Sequence, residues 1–467
     1  MAKDKLTEYD ATAANNTVVG DVNLAENSCL PSDLNNAVRE VMSHLKEFAE
    51  GTNGINVLSL ADDDASASIK FQAPNAVTTT VTFTLPDGDG ESGQTLVTNG
   101  SGTLAWHAPY GNRNLIINGA MQVAQRGSVT GITSGRYGGP DRIKAQPSGL
   151  GTWTVAQSTA APDGFSNSYK LTCTTADSSP AAGDYLQLRF ITEGQNVQHL
   201  DYGSSGALST TISFYVKSSK TGTFTYVLRS FDSGAGTRLF SKNVTISSAN
   251  TWEYKTVTAP GDASGAINND NTMGLDAAFW LNAGSSFSGG SEQTTWANQN
   301  NVDKYLGTID LGNATGETFQ ITGVQLEVGE TATPFEHRSF GDEYNRCLRY
   351  TYVPRNDSVS AADGTTIANG ECHSSSSGVY WADFPVPMRD IPTLAVTSTA
   401  SAIEQAYHNG GVTTHNVTAM SYIATISGNL KGCFSVGSAS FSGGEGAHCR
   451  YATGNIADNI IVFSAEL

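Results

Sequence analysis

The residues best placed to do chemistry in this sequence are aromatic rings set among amides, acids and guanidines on the polar sides of β-strands. In the run LDAAFWLN, Leu275, Ala277, Phe279 and Leu281 fall on one face of a strand, which puts Trp280 on the other, beside Asp276 and Asn282. An indole on a polar face is a flat apolar plate; sugar rings stack on such plates while Asn, Asp, Arg and Gln bond their hydroxyls. Tyr185, Gln187 and Arg189 in YLQLRFI, and Tyr215 in TISFYVKSS, lie on the polar sides of their own strands. They join Trp280 in one glycan-binding face if those strands share a sheet. Trp296, in GGSEQTTWANQNN, is a second candidate plate. Both indoles also have a plainer use, packing against a covering loop or another protomer. Trp153 and Trp252 read as core or rim.

Covalent and metal chemistry find little footing. There is no G-x-S-x-G elbow, P-loop, dinucleotide fingerprint or H-E-x-x-H run. The acids of Asp62-Asp63-Asp64 and PDGDGESG lack calcium-loop spacing and read as solvated turns. Cys372-His373 and His448-Cys449 bring thiol and imidazole together, but neighbours on a strand point to opposite faces, so neither pair chelates readily. No metal and no cofactor is expected. The six cysteines, at 29, 173, 347, 372, 433 and 449, are too few for a disulfide scaffold and read as reduced, mostly buried thiols.

The elements that must position these residues are almost all strands. Leu186, Leu188 and Phe190 alternate with the polar set of YLQLRFI; Ile212, Phe214 and Val216 do so in TISFYVKSS, and Phe224, Tyr226 and Leu228 in TFTYVLRSF. Many such strands between about Asn114 and Arg338, without helices, predict an antiparallel two-sheet sandwich of jelly-roll type. In its last strand the apolar parity switches from Phe319 and Ile321 to Val324, Leu326 and Val328, which predicts a β-bulge at Gly323. Residues 55–113 read as short strands and tight turns, a thin β shaft with too few large side chains to be stable as a lone copy. From Ser339 onward, Ser339-Phe-Gly-Asp342 predicts a capping box opening a connector helix with Tyr344, Cys347 and Leu348 on one face, followed by a β-sandwich tip to residue 467. The prolines of FPVPMRDIPTLAV suit strand ends and edges.

One stretch predicts a longer helix, PSDLNNAVREVMSHLKEFAEG, with Ser32 or Asp33 as cap and Gly51 as stop. Leu34, Val38, Val41, Leu45 and Phe48 step by four and three, a heptad seam. Two heptads are short, so the seam serves either packing on the same chain or a small oligomerising bundle near a mounting point.

Composition sets the outer bounds. A chain of 467 residues implies several domains, and 15% charged residues with 49 glycines disfavours helix while the spread of aromatics argues against disorder. The net charge of −18 lacks the basic footprint of a nucleic-acid binder and is repelled by anionic lipid, and no apolar run approaches a bilayer span, so neither nucleic acid nor membrane insertion is expected. No signal sequence is visible at MAKDKLTEYD.

Three segments carry a family resemblance. LPDGDGESGQTLVTNGSGTLAWHAP resembles the shaft element of tail fibres of tailed bacteriophages. NLIINGAMQVAQRG, from Asn114 to Gly127, and ITGVQLEVGETATPFEHRSFGDEYNRCLRYTY, from Ile321 to Tyr352, resemble the opening and closing of the large β-domain of phage fibres and related virion adhesins. The Pro31–Phe48 helix is similar, more weakly, to a fibre attachment segment. The resemblance implies a mainly β virion structural protein in four parts: an N-terminal attachment segment at 1–54, a trimeric shaft at 55–113, a jelly roll close to carbohydrate-binding modules at 114–338, and connector plus tip at 339–467. It implies a homotrimer, held through its N-terminus by tail adaptor or nozzle proteins, assembled in a bacterial cytoplasm and adhering to host polysaccharide or an outer-membrane receptor. Leu34, Val38, Val41, Leu45 and Phe48 would then trimerise or anchor it. No enzyme activity is expected. The rivals are a head or decoration fibre, and a tail spike that depolymerises polysaccharide; the latter usually rides on a parallel β-helix, and no solenoid repeat is present.

Overall fold

A computed structural model describes residues 113–232 and 236–354 without interruption, and outside them 15–19, 22–25, 30–49, 57–61, 68–72, 82–90, 95–98, 101–107, 366–372, 374, 376–396, 403–408, 412–416, 419–426, 431–437, 446–451 and 461–467. The Asp62–Asp64 acids, Gly51, Cys29 and His373 lie outside the described residues. The chain forms two compact units, Met1–Thr84 and Leu85–Leu467.

In the first unit the helix runs from Pro31 to Ala49, next to a ribbon of Val18–Val19 and Val22–Asn23. Its start differs from the expected cap. Pro31 occupies the first helical position, where its missing N–H costs nothing, and Asp33 Oδ2 reaches back to accept from the Leu30 N–H at 2.8 Å. Ala37 and His44 are the buried helix residues, while Leu34 (60%), Val38 (51%), Met42 (63%) and Leu45 (50%) remain exposed. Leu34, Val38 and Leu45 of the heptad seam therefore do not lie on the face that packs on the same chain. Val41 is half-buried, and the side chain of Phe48 lies outside the described residues. The unit also holds a hairpin pairing Val57–Ala61 with Ser68–Gln72.

The second unit opens with a hairpin of Thr95–Thr98 and Leu104–His107. Trp106 Nε1 donates to the Gly88 carbonyl at 2.7 Å, closing the PDGDG turn under its indole. Leu85 and Leu96 stay exposed.

Two antiparallel sheets follow. One orders Glu253–Ala259, Thr210–Ser218, Thr318–Val328, Ser168–Thr175, Thr152–Ser158 and Val129–Ile132. The other orders Ala297–Asn298, Arg238–Ile246, Gly222–Ser230, Met273–Ala283, Tyr185–Glu193, Ile143–Ser148 and Arg136–Tyr137. The apolar members of each alternating strand face inward into one core; Phe214 of the first sheet meets Phe279 of the second edge-on at 4.9 Å. Each such fully buried ring contributes about 1.5–3 kcal/mol. This is the expected sandwich. The bulge is there too: between Thr322 and Gln325 the strand spends one residue more than its partner does between Tyr215 and Ser213, with Gly323 at φ +60°. Both halves of the strand thus face the core.

The two segments that open and close this sandwich in sequence meet in space. The Leu115 and Leu326 main chains bond at 2.8 Å, Asn114 Nδ2 donates to the Val324 carbonyl at 2.9 Å, and a side chain on Gly119 would strike that same carbonyl oxygen. Asn118, at φ +62°, donates to the Val123 and Asp141 carbonyls, and its own N–H goes to Glu343 at 2.6 Å. The motif residues are a structural clasp.

The helix Phe340–Leu348 is capped by Ser339, whose hydroxyl oxygen accepts from the Asp342 N–H. Cys347 and Leu348 are buried as expected, joined by Glu343, while Tyr344 lies at the margin stacked on Phe340. Beyond it a seven-stranded sheet and a three-stranded sheet of Thr351–Tyr352, Ile461–Ser464 and Thr393–Val396 enclose a second core around Tyr380, Phe384, Val436, Cys449 and Phe463. Pro385, Pro387 and Pro392 fall between strands, and Thr393–Val396 is an edge. Burial raises the Cys449 thiol to about 12, so it stays protonated, and no metal-binding cluster of His, Cys, Asp or Glu occurs among the described residues. No helix among them is long and apolar enough to cross a membrane.

Candidate functional site: an aromatic cleft beside the glycine bulge

The anticipated sugar-binding face is divided between the two sheets. Tyr185, Gln187, Arg189 and Trp280 share the outer face of one, with Gln187 opposite Trp280. Tyr215 belongs to the other, paired with Tyr254 and Thr322. Hydrophobic alternation assigns a residue to a face; which sheet owns the strand is set by long-range pairing, which alternation does not encode.

In the first group Trp280 and Gln187 are buried, and Tyr185 and Arg189 are half-buried. Trp280 is 1% exposed, wedged among Tyr185 at 5.3 Å, Phe287 at 5.4 Å and the Lys304 ammonium at 5.7 Å. The segment after the strand folds back over the sheet, so the indole packs beneath a covering loop. Burial and the neighbouring Arg229 push the Lys304 ammonium down to about 8. Arg189 and Arg229 converge on Asp276, which is fully buried; burial alone would raise its carboxyl, but the two guanidiniums hold it below the ordinary carboxylate value. Gln187 is buried beside Arg229, and the Tyr185 hydroxyl oxygen accepts from Gln146 Nε2 at 2.9 Å. This is a buried ionic layer. Trp296 is likewise committed, its Nε1 donating to the Pro260 carbonyl at 2.7 Å and its ring meeting Tyr202 edge-on.

Tyr215 instead lines a separate cleft, in company that the sequence reading missed. On the outer face of the first sheet a cleft of about 600 Å³ opens beside the bulge. Tyr215 and Tyr254 are cross-strand partners with ring centres 5.0 Å apart, tilted by 49°, and Tyr254 is 48% exposed. Phe165 stands 5.6 Å from Tyr215, with Phe335 at 5.0 Å and His337 at 5.3 Å behind it. The hairpin residues Val97, Thr98, Thr103 and Ala105 form another wall, and Asp163 is the carboxylate of the lining. The Tyr254 phenol is raised by burial, so it is neutral and able to donate at neutral pH.

The bulge builds this geometry. A Cβ on Gly323 would sit 2.7 Å from the Phe165 ring, so the glycine both takes the left-handed backbone and leaves the space that Phe165 fills. The wall at 331–337 is fixed by ionic contacts beneath it. Glu327 accepts from the Thr333 N–H at 2.8 Å and its hydroxyl at 2.5 Å and pairs with Arg113 at 3.3 Å; Glu336 takes the Asn114 N–H at 2.8 Å and Arg338 at 2.9 Å. The cleft is held open before any ligand arrives, which lowers the ordering cost of binding. Tyr254 was legible: in EYKTVTA it shares parity with Thr256 and Thr258, opposite Val257 and Ala259. Phe165, Phe335 and His337 come from loops and carry no periodic signal.

No family model matches this chain, and no curated protein does. Among solved structures, the enzymatically active domain of bacteriophage CBA120 tailspike protein 4 aligns at 13% identity over 46% of this chain and 21% of that one, with a TM-score of 0.24. The family 11 carbohydrate-binding module from Clostridium thermocellum, in complex with a β-1,3-1,4-mixed-linked tetrasaccharide, aligns at 13% identity over 44% of this chain and 98% of its own, TM-score 0.23. A family 61 module in complex with β-1,4-galactotriose aligns at 9% identity over 47% and 100%, TM-score 0.23. The superpositions add nothing to the fold read from the strands themselves.

Proposed function

We propose that this chain is a virion fibre subunit of the tail-fibre kind, held by its N-terminal segment and adhering to a glycan on the host surface through the cleft at Tyr215 and Tyr254. The observation that carries the reading is the cleft itself: four aromatic rings and an imidazole around about 600 Å³, with hydroxyls of Thr98, Thr103 and Ser213 among them. Rings stack on the apolar faces of pyranoses and hydroxyls replace the sugar's water. Adhesion fits this lining better than hydrolysis, because a glycosidase needs two carboxyl groups about 5–10 Å apart, and Asp163 is the single acid here.

The exposed seam residues Leu34, Val38 and Leu45 on the helix support assembly as a homotrimer around that seam. Weak contacts at each cleft then gain strength from several identical sites meeting one surface. The fibre is put together in a bacterial cytoplasm and docks on tail adaptor proteins.

The test is Tyr254→Ala, alone and with Tyr215→Ala. Tyr254 sits at the surface, so the fold should persist, and loss of a stacking platform of about 1 kcal/mol per site should lower adsorption to host cells several-fold, more for the double variant. Unchanged adsorption by well-folded variants would remove the site.

A further inference from the structure

The aromatic cleft has a charge pattern that stacking of a neutral sugar does not use. Among the described residues that line it there is no lysine or arginine, and Asp163 is exposed in that lining with no hydrogen-bond or ion-pair partner among the described residues. A tight turn sets this acid in place. The Phe165 N–H donates to the Pro162 carbonyl at 3.1 Å, and Gly164, at φ +86°, fills the turn position that a side chain would strain. The same four residues therefore present the carboxylate of Asp163 and the ring of Phe165, which stands 5.6 Å from Tyr215.

The rings are the other half of the pattern. The face of a Tyr or Phe ring is electronegative, and a cation within about 6 Å of its centre is attracted to it. The outer face of this sheet already shows that chemistry: Lys217, two residues along the strand from Tyr215, sets its ammonium 4.9 Å from the centre of the Trp252 ring. Among the described residues no internal cation does the same for Tyr215 or Tyr254, although both line the cleft. His337, the imidazole of the lining, is packed against Phe165 and Phe335, with ring centres 5.3 Å and 4.9 Å apart.

We propose that the cleft selects a glycan bearing an ammonium group, either the free amine of an amino sugar or a quaternary ammonium attached to a sugar, with Tyr215 and Tyr254 against the cation and Asp163 as its counter-ion. This rests on the reading of the cleft as the glycan site and adds the charge of its ligand. Acetylation of the amine would remove that charge and leave Asp163 unmatched. The net charge of −18 acts in the same sense at longer range, drawing in cationic ligands and repelling polyanions.

Calorimetry of the full chain with two matched pairs of probes tests it: glucosamine trisaccharide against its N-acetylated form, and choline against its uncharged carbon analogue 3,3-dimethylbutanol. A preference of about fivefold for the cation is expected in at least one pair, shrinking at high salt, and the pair that shows it identifies the source of the ammonium. Asp163→Asn, a change at an exposed side chain, should remove the preference and leave the neutral trisaccharide bound as before. Asp163→Lys should abolish binding of the cationic probes, and Tyr254→Ala should weaken every probe. No preference in either pair, or a preference that survives Asp163→Asn, would overturn the selection by charge while the glycan site stands. Binding that Tyr254→Ala leaves intact, or no binding of any probe, would remove the site itself and the proposal with it.

Discussion

Asp276 shows how a residue that looks like a ligand-binding group is taken up by the fold. Two guanidiniums meet its carboxylate in a layer closed off from water, where an unmatched charge is far more costly than at the surface. Asp276→Asn keeps the shape and removes the charge, leaving Arg189 and Arg229 buried and uncompensated; it should destabilise the sandwich by about 3–5 kcal/mol, read as a fall in the unfolding temperature with glycan binding tested separately on the surviving fold. Gly323 makes the opposite case, a residue with no side chain that shapes a site. Gly323→Ala meets both the left-handed backbone and the Phe165 ring. It should cost about 1–3 kcal/mol and displace Phe165, weakening the aromatic cleft more than it lowers the melting temperature; an unaltered ligand affinity would contradict this. At this scale the sequence was partly readable. The parity switch around Gly323 announced the bulge, and a covering loop was one of the plainer readings of Trp280, but nothing told which residues form that loop or that Tyr215 lies on the other sheet.

Among the elements, the junction of sandwich and tip is bound by charge. Arg142 pairs with Glu466 and lies 3.4 Å over the Tyr350 ring; Tyr350 donates to Glu193, which also accepts from Arg349 at 2.7 Å. Burial would raise the carboxyls of Glu466 and Glu193, yet Arg142 with Arg126 in one case, and Arg349 with Tyr350 in the other, hold both below the ordinary value. Such lowered carboxyls give stability that is complete above about pH 4.3 and lost as pH falls through the folded-state values. Asp141 opposes them, because burial raises its carboxyl and protonation relieves it. With two losses against one gain, the junction should loosen in acid below about pH 4, seen as faster amide exchange at Tyr350 and Thr351 while the Phe214–Phe279 core stays protected. The connector helix offers a simpler check. Removing its cap with Ser339→Ala should cost about 1 kcal/mol, measured by thermal unfolding. Helices, the Ser339 cap and alternating strands were legible because they depend on neighbours within a few residues. The sheet partition was not, since Tyr215 pairs with Thr322 across more than a hundred residues.

For the whole molecule the decisive surface is the heptad seam. Its residues were read as either a same-chain contact or an oligomer contact, and the helix buries Ala37 and His44 while Leu34, Val38 and Leu45 of the seam face outward. Val38→Glu with Leu45→Glu places like charges where copies would meet, and should convert an oligomer into monomers by sedimentation velocity without altering the sandwich. An oligomer that survives the pair of changes would assign assembly to another surface, such as that carrying Leu85 and Leu96.

The strand Ile461–Ser464 lies between Thr351–Tyr352 and Thr393–Val396, and the Glu466 side chain that follows it reaches Arg126 and Arg142, which emerge from the ribosome more than three hundred residues earlier. A chain without this segment has neither the central strand of the small sheet nor the acid that neutralises those two arginines.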